Sequence, residues 1–196
     1  TITGAIFLGL PLPILAAQII WLNLVTDGFL DVSLAMEPKE GGLLRSSFEK
    51  PKKYLVDKLM IQRMIIMALP MAIGTLIIFN RSLGPDLTYA WTMSLTLLAA
   101  CQWANAWNCR SEDKSIFQLN FFANKFLIGA TVIVISLQLL AVYNPLMQKL
   151  LHTTAISLND WLTIIPIALT VILVEEIRKL KNRRGNLSRR RESDSR

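Results

Sequence analysis

Five apolar runs, each close to the length that a helix needs to cross a bilayer, constrain this sequence more than any other feature. They occupy approximately residues 12–35, 60–79, 87–108, 126–143 and 159–176. An α-helix rises about 1.5 Å per residue, so about 20 apolar residues cross the hydrocarbon core of a membrane. Hydrophobic residues make up 53% of the 196 positions and charged residues 18%, a composition more apolar than a solvated domain needs. The sequence therefore predicts an all-α fold, a polytopic transmembrane helical bundle of five spans.

The Lys and Arg residues concentrate in every second connection between these runs and at the end of the chain. Seven lie in residues 39–63, three in 110–125 and nine in 178–196, and the other two are Arg81 and Lys149. Because short cytoplasmic loops collect Lys and Arg, the three basic segments are predicted to be cytoplasmic and the loops 80–88 and 144–158 external. We therefore expect an integral, multi-pass protein of the plasma or cell membrane with a cytoplasmic C-terminus.

The chain has no linker long enough to separate two domains. Residues 1–180 are predicted to form one transmembrane domain, and residues 181–196 a basic cytoplasmic tail. No aromatic residue interleaves with the charges of the tail, so we expect it to lie near anionic lipid of the bilayer and expect no nucleic-acid partner. The chain starts at Thr1 without a targeting segment, on the predicted external side, which favours a fragment of a longer protein. Cys101 and Cys109 lack further ligands nearby and are expected to be free thiols.

The stretch NLVTDGFLD places polar residues inside the first apolar run. An ionised carboxylate near the bilayer centre costs about 2.5–3.5 kcal/mol on insertion scales, so Asp27 and Asp31 need a polar cavity or a partner. On an α-helix Asn23, Asp27 and Asp31 recur every four residues, and Thr26 follows Asn23 by three, so all four are predicted to share one face. Gly28 weakens the helix there and would let backbone carbonyls turn inward.

The residue types of this face leave three interpretations open. Amide, hydroxyl and carboxylate oxygens are the ligands that hard cations such as Ca²⁺ and Mg²⁺ prefer, and they also suit Na⁺ or K⁺. The first interpretation is therefore a cation site. The second is a buried polar cluster that holds helices together, with Asp31 wetted near the inner surface. The third is a proton relay.

Several stretches resemble the membrane region of P-type cation-transporting ATPases, in the branch of the calcium pumps and the sodium/potassium pumps. The stretch PLPILAAQIIWLNLVTDGFLDVSLAMEP resembles their sixth transmembrane helix. In order along the chain, LLRSSFEKPKKYLVDKLMIQRM is similar to the loop before their seventh helix, AACQWANAWNCRSEDKSIFQ to the end of the eighth, and ISLNDWLTIIPIAL to the tenth. The resemblance implies that the five spans correspond to helices six to ten.

The resemblance also implies which residues bind a cation. The coordinating positions of the family fall on Asn23, Thr26 and Asp27. Gln102 occupies a position in the eighth helix where reticulum-type calcium pumps have Glu and where plasma-membrane calcium pumps and sodium/potassium pumps have Gln. Asp31 stands where relatives usually have a small residue, and it could be an added ligand, a proton-countertransport group or a wetted gate residue.

The function that the resemblance implies is that of a C-terminal membrane fragment of an ATP-driven cation pump, which contributes part of an intramembrane cation site. Ca²⁺ is the favoured cation, with Na⁺, K⁺ and H⁺ as alternatives. The phosphorylation motif Asp-Lys-Thr-Gly-Thr of the family is not in this sequence, so this chain alone is not expected to hydrolyse ATP. ATP and Mg²⁺ would act through cytoplasmic domains outside this chain, one of which the loop 37–59 would contact.

Two kinds of partner follow from the same interpretation, namely the lipid bilayer and the upstream helices and cytoplasmic domains of the same pump. The alternative is a free-standing membrane accessory or structural protein without transport activity.

Overall fold

Every regular element that the structure describes is helical. The structure is a computed structural model that describes residues 1–38, 58–111 and 114–194, with side chains for 1–38, 60–111 and 114–181. The α-helices are α1 (Ile2–Phe7), α2 (Ala16–Trp21), α3 (Gly28–Ala35), α4 (Lys58–Arg81), α5 (Leu87–Asn108), α6 (Lys125–Tyr143), α7 (Pro145–Leu151) and α8 (Leu158–Asp194). A π-helix, Leu22–Asp27, lies between α2 and α3, and two short 3₁₀ turns, Ile116–Gln118 and Phe121–Ala123, precede α6.

The first predicted span begins later than its apolar run. Residues 11–15 are not helical, because Pro11 and Pro13 interrupt regular backbone hydrogen bonding there. The helix starts at Ala16, and the Gln18 side chain accepts a hydrogen bond from the Leu15 backbone N–H at 3.1 Å. From there α2, the π-helix and α3 continue without interruption, so the predicted 12–35 is corrected to 16–35. We refer to this continuous element as helix 16–35.

The other helices reproduce the apolar runs closely. The predicted 87–108 coincides with α5, and the predicted 60–79 and 126–143 fall within α4 and α6. Helix α8 is longer than the fifth apolar run, because it continues through the basic segment to Asp194. Its start is capped reciprocally: the Asp160 N–H donates to Ser157 Oγ at 3.3 Å, and the Ser157 N–H donates to Asp160 Oδ2 at 2.7 Å.

Two of the described helices, Met60–Arg81 and Lys125–Tyr143, are long and apolar enough to cross a membrane. Helix α5 has 22 residues, but Thr, Ser, Gln and Asn side chains are distributed along it and lower its apolar character. The count of five spans therefore stays a prediction. The loop 37–59, which was expected to contact a cytoplasmic domain, lies almost entirely outside the described residues.

Helix α5 lies at the centre of the fold and packs against α4 and α8. The apolar core between these three helices, which we call the brace, includes Met67, Ile78, Met93, Leu97, Ala100, Cys101, Ala104, Ile164, Ala168 and Val171. Helix 16–35 lies against another side of α5, where Leu22 packs with Leu95 and Ala99. Farther along helix 16–35, Leu30 packs with Ala106 of α5 and with residues of α6. Helix 16–35 is thus held beside α5, and α5 is held by the brace.

The two cysteines are free thiols, as expected from their spacing. Cys101 is buried in the brace, and Cys109 is exposed just after the end of α5.

Candidate cation site

The structure brings together two of the residues that the sequence singles out, one from each of two neighbouring helices. Gln102 of α5 donates from Nε2 to Asp27 Oδ2 at 3.2 Å. The two residues are 75 positions apart in sequence, so this hydrogen bond is a tertiary contact between helix 16–35 and α5. The Asp27 side chain is half-buried and has a polar partner, which reduces the cost of placing a carboxylate among apolar helices.

Gln102 is oriented so that its amide oxygen is available. Its Nε2 faces Asp27, while its Oε1 is buried and has no hydrogen-bond partner in the described part of the chain. A buried carbonyl oxygen without a donor costs about 1–3 kcal/mol, and a bound cation can offset that cost. The carboxylate of Asp27 and the amide oxygen of Gln102 therefore provide two ligands of the kind that hard cations accept.

The other three candidates lie in different environments. Thr26 is 2% exposed, whereas Asn23 and Asp31 are exposed. The expectation that Asn23, Thr26, Asp27 and Asp31 share one face assumed a regular α-helix through residue 27. The segment is instead a π-helix, whose hydrogen bonds run from i to i+5, so the angular spacing of its side chains differs from that of an α-helix. Thr26 therefore differs in burial from the other three, and the single shared face stays a prediction. Of the four residues, Asp27 is the one whose side chain hydrogen-bonds to Gln102 in the described part of the chain.

The π-helix itself was not predicted. It covers six residues, Leu22–Asp27, and it contains all three residues that the resemblance assigns as ligands, Asn23, Thr26 and Asp27. Such segments are rare and are frequently found at functional sites. The polar residues in the apolar run, and Gly28 directly after them, are the local signal that regular α-helix is weakened there.

The acidic groups of the described residues do not by themselves form a complete metal site. Among residues 1–38, 60–111 and 114–181, no group of three or more His, Cys, Asp or Glu side chains could hold a metal ion. Ca²⁺ takes about six to eight oxygen ligands, more than Asp27, Gln102 and their neighbours supply. The arrangement can therefore contribute part of a cation site.

A second polar network, which sequence reasoning missed, joins helix 16–35 to α5 and α6. Gln138 of α6 is 1% exposed, accepts from Trp21 Nε1 at 3.2 Å and donates to Thr96 Oγ1 at 3.2 Å. Each of these side chains is polar or amphipathic within an apolar run, which is the signal that could have identified it. The network fixes the part of helix 16–35 that precedes the π-helix.

A third polar contact, also missed, lies just past the ends of α3 and α5. Arg110 forms a bidentate pair with Glu37, in which Arg110 Nη2 donates to Glu37 Oε1 at 2.8 Å and Nε donates to Oε2 at 3.2 Å. Asn124 donates to Glu37 Oε2 at 2.7 Å and caps the start of α6 through the Leu127 N–H at 2.9 Å. No periodicity in the sequence predicts this pair, because its members are 73 residues apart and each follows a predicted span as an ordinary flanking charge.

The far end of the brace carries a separate charged cluster. Glu175 of α8 is fully buried and pairs with Arg63 of α4 at 3.3 Å and with Arg178 at 2.7 Å. Lys179 is 2% exposed and donates to the Asn108 carbonyl at the end of α5 at 3.1 Å. Burial lowers the pKa of Lys179, and the nearby carboxylate of Glu175 opposes that shift. These contacts connect α4, α5 and α8 and do not reach Asp27.

The chain is similar to known proteins over most of its length. The family described as "Cation transporting ATPase, C-terminus" matches residues 11–181. Three similar curated proteins are a "Calcium-transporting ATPase" of Bacillus subtilis, 34% identical over 82% of this chain, a "Calcium-transporting ATPase 1" of Saccharomyces cerevisiae, 32% over 90%, and a "Calcium-transporting ATPase type 2C member 2" of Mus musculus, 31% over 91%. The matched segments cover 18%, 19% and 19% of these relatives, so the chain spans about a fifth of their length.

Proposed function

Because the chain belongs to the family of cation-transporting P-type ATPases, as their C-terminal membrane region, we propose that it forms part of an ATP-driven calcium pump and supplies part of its intramembrane cation site. The observation that carries the proposal is the contact between Asp27 and Gln102. It joins the π-helix to α5 at 3.2 Å and leaves the buried Gln102 Oε1 without a partner among the described residues. The Asp27 carboxylate and the Gln102 side-chain amide lie on adjacent helices, and they can exchange the hydrogen bond from Gln102 Nε2 to Asp27 for bonds from their oxygens to a cation.

The proposed ligands are Asn23, Thr26, Asp27 and Gln102. Together they offer about five oxygens if Asp27 binds with both of its own, while Ca²⁺ takes about six to eight. The remaining ligands would come from the upstream helices of the same pump. Asn23 and Asp31 are exposed in this chain, and an exposed polar face on an apolar helix suits packing against such helices. Asp31, one turn beyond Asp27, would lie nearer to water.

The proposed setting is a membrane crossed five times, with the basic segments on the cytoplasmic side. The distribution of Lys and Arg supports a cytoplasmic C-terminus, and the proposed membrane is the plasma or cell membrane. ATP and Mg²⁺ would act on cytoplasmic domains of the full-length pump. The cycle of phosphorylation there would open the site alternately to the two sides of the membrane.

The alternative function is that of a free-standing accessory protein that keeps the fold of a pump but does not transport. The reading frame upstream of Thr1 separates the two proposals directly. A continuous frame that encodes the Asp-Lys-Thr-Gly-Thr motif supports the pump. A start codon close to Thr1 without such a frame supports the accessory protein.

The biochemical test is calcium uptake into inside-out membrane vesicles that contain the full-length protein. We expect accumulation of radioactive calcium that requires ATP and stops when a calcium ionophore is added. Uptake that is the same with and without ATP would contradict the proposal. The orientation is tested by a Cys replacing Lys53, which an impermeant thiol reagent should label in inside-out vesicles and leave unlabelled in sealed right-side-out cells.

The incompleteness of the site gives a separate test on the 196-residue chain. We expect titration calorimetry of the purified chain in detergent to show no tight binding of Ca²⁺, because too few oxygens are present. Stoichiometric binding with a dissociation constant below about 10 μM would mean that the described helices complete a site without the upstream ones.

A further inference from the structure

Helix 16–35 and α5 are connected by polar contacts at two levels. At the first level, Gln102 Nε2 donates to Asp27 Oδ2. At the second, Arg110 forms its bidentate pair with Glu37. Arg110 follows Gln102 by eight residues, which corresponds to about 12 Å along a helix axis. Glu37 follows Asp27 by ten residues, so the two contacts join the same pair of chain segments at points about two to three helical turns apart.

The pair of Glu37 and Arg110 is largely withdrawn from solvent and has several further contacts. The side chain of Arg110 is 1% exposed and that of Glu37 is 20% exposed. Arg110 Nη2 also donates to the Asn120 carbonyl at 3.0 Å, and its guanidinium carbon lies 5.4 Å from the centre of the Trp107 ring. A bidentate Arg–carboxylate pair fixes both the distance and the relative orientation of its partners, which a single hydrogen bond does not.

Asn124 connects this pair to a third helix. Its Nδ2 lies 2.7 Å from Glu37 Oε2 and 3.0 Å from the Ser33 carbonyl in α3. Its Oδ1 accepts from the Leu127 N–H in the first turn of α6. The end of α3, the end of α5 and the start of α6 are therefore tied together at one point.

The chain between the two levels transmits this constraint. On one side α5 is continuous α-helix from Gln102 to Asn108. On the other side Gly28–Ala35 is α-helical, and Leu30, which is 2% exposed, packs against Ala106. Because both segments are regular and close-packed, a slip of one residue at Glu37 would move Asp27 by about 1.5 Å relative to α5. A hydrogen bond of 3.2 Å does not survive such a displacement.

We propose that Glu37 and Arg110 are positioning residues that fix the register of helix 16–35 against α5 and so hold Asp27 at Gln102. The proposal rests on the proposed function for its consequence, which is the affinity of the site for the transported cation. It assigns a role to two charged residues that the sequence presents as ordinary flanking charges.

The first test measures the register itself, without reference to transport. Spin labels are placed at Leu24, which is exposed, and at Asn105 of α5 in full-length protein with Cys101→Ala and Cys109→Ser. We expect one narrow distribution of distances between the labels, and a broader or displaced one after Arg110→Lys, because Lys keeps the charge but cannot form the bidentate pair. An unchanged distribution would overturn the proposal.

The matched control is Arg178→Lys. Arg178 also makes two short contacts to a carboxylate, but its partner Glu175 lies in the same helix, α8. This substitution also replaces a guanidinium that pairs with a carboxylate, but the pair lies away from the contacts between helix 16–35 and α5. We expect it to leave the distance distribution as in the unmodified protein. If the distance distribution broadened equally in the control, the effect would not be specific to the pair of Glu37 and Arg110, and the proposal would be contradicted.

The second test measures cation affinity in the full-length pump. We expect Arg110→Lys and Glu37→Gln to raise the Ca²⁺ concentration for half-maximal phosphorylation from ATP by up to about fivefold, no more than the removal of Gln102 itself. The maximal level of phosphoenzyme and the phosphorylation from inorganic phosphate should stay unchanged. A loss of the maximal level with an unchanged half-maximal concentration would indicate a merely structural role and would contradict the proposal.

A coupling measurement connects the two contacts. In a Gln102→Ala background the position of Asp27 relative to residue 102 no longer matters, so Arg110→Lys should change the half-maximal concentration less than about twofold. Effects that multiply independently would contradict positioning through Gln102. If the unmodified pump shows no Ca²⁺-dependent phosphorylation, the proposed function fails, and the distance measurement still decides whether Glu37 and Arg110 set the register.

Discussion

Helix 16–35 and the brace differ in the kind of contact that holds them in place. In the brace, Leu97 and Ile164 are fully buried between α4, α5 and α8. Helix 16–35 buries Leu22 and Leu30 on one side but exposes large apolar residues such as Leu24 and Val32 at 72% and 70%. Its contacts to the rest of the chain are in good part polar, through Trp21, Asp27 and the pair beyond its end.

This difference suggests a division of roles, in which the brace stabilises the fold and helix 16–35 contributes to the cation site. The buried core of the brace is apolar and close-packed, so it can act as a fixed frame. Helix 16–35 keeps polar and apolar surface exposed along its length and contains a π-helix, which is what a site shared with other helices requires. We therefore expect substitutions in the brace to change stability and substitutions near Asp27 to change cation affinity.

The largest expected effect on stability comes from Leu97 in the brace. Leu97→Ala leaves a cavity between α5 and its neighbours and should lower the free energy of unfolding by about 2 kcal/mol. Thermal unfolding of the chain in detergent, followed by circular dichroism, measures this change. The control is Leu173→Ala, since Leu173 is exposed, and it should change stability by less than about 0.5 kcal/mol. Equal losses of unfolding free energy for the two variants would mean that the buried core of the brace does not stabilise the fold more than its exposed residues do.

A smaller loss of stability is expected from the buried Gln138. Gln138→Leu keeps the size of the side chain but removes the partners of Trp21 and Thr96. Interhelical hydrogen bonds in membrane proteins contribute about 0.6 kcal/mol on average, so we expect a decrease of about 1 kcal/mol in the same unfolding assay. The Ca²⁺ concentration for half-maximal phosphorylation of the full-length pump should stay unchanged. A weaker cation affinity would place Gln138 in the site.

Gln102→Leu is the matched substitution at the site and should show the opposite pattern. It removes one amide oxygen and the partner of Asp27, so the half-maximal Ca²⁺ concentration should rise about fivefold. Stability should change less than for Gln138→Leu, because the Gln102 Oε1 that is lost has no partner in the described residues. If Gln102→Leu lowered the free energy of unfolding more than Gln138→Leu does and left the affinity for Ca²⁺ unchanged, Gln102 would be a structural residue rather than part of the site.

The smallest expected effect lies outside both regions, at the start of α5. Asp86 accepts from the Thr88 N–H at 2.9 Å, and this hydrogen bond lowers the pKa of Asp86 from its ordinary value of 3.8. Its contribution to stability is therefore present above pH 3.8 and is lost as the pH falls through the lower pKa of the folded state. Asp86→Ala should lower the melting temperature slightly at neutral pH. The difference from the unmodified chain should narrow below pH 3.8, and a constant difference would contradict the capping role.

Much of the fold could be predicted from the sequence because its signals are local. Apolar runs and caps such as Asp86 and Ser157 determine the helix boundaries within a few residues, and Pro11 and Pro13 account for the late start of helix 16–35. The ligand candidates Asn23, Thr26 and Asp27 could be recognised for a similar reason, since polar residues in an apolar run are costly.

The contacts between helices could not be predicted in this way. Gln102 meets Asp27 across 75 residues and Arg110 meets Glu37 across 73, and a single sequence contains no periodicity that joins such positions. The π-helix escaped prediction because the spacing of its side chains was interpreted with the geometry of a regular α-helix. The expectation of one shared face for Asn23, Thr26, Asp27 and Asp31 therefore stays a prediction, and Thr26 is buried where Asn23 and Asp31 are exposed.

The central claim, that Asp27 is a cation ligand and Asp31 is not essential, is tested most directly by a pair of substitutions in the full-length pump. Asp27→Asn keeps the shape of the side chain but removes the charge that offsets dehydration of the cation. Phosphorylation from ATP in the presence of Ca²⁺ should be lost, while phosphorylation from inorganic phosphate should persist. Asp31→Asn, at an exposed position, should shift cation affinity and keep transport. A nearly silent Asp27→Asn together with an inactive Asp31→Asn would contradict the assignment and place Asp27 in a purely structural cluster with Gln102.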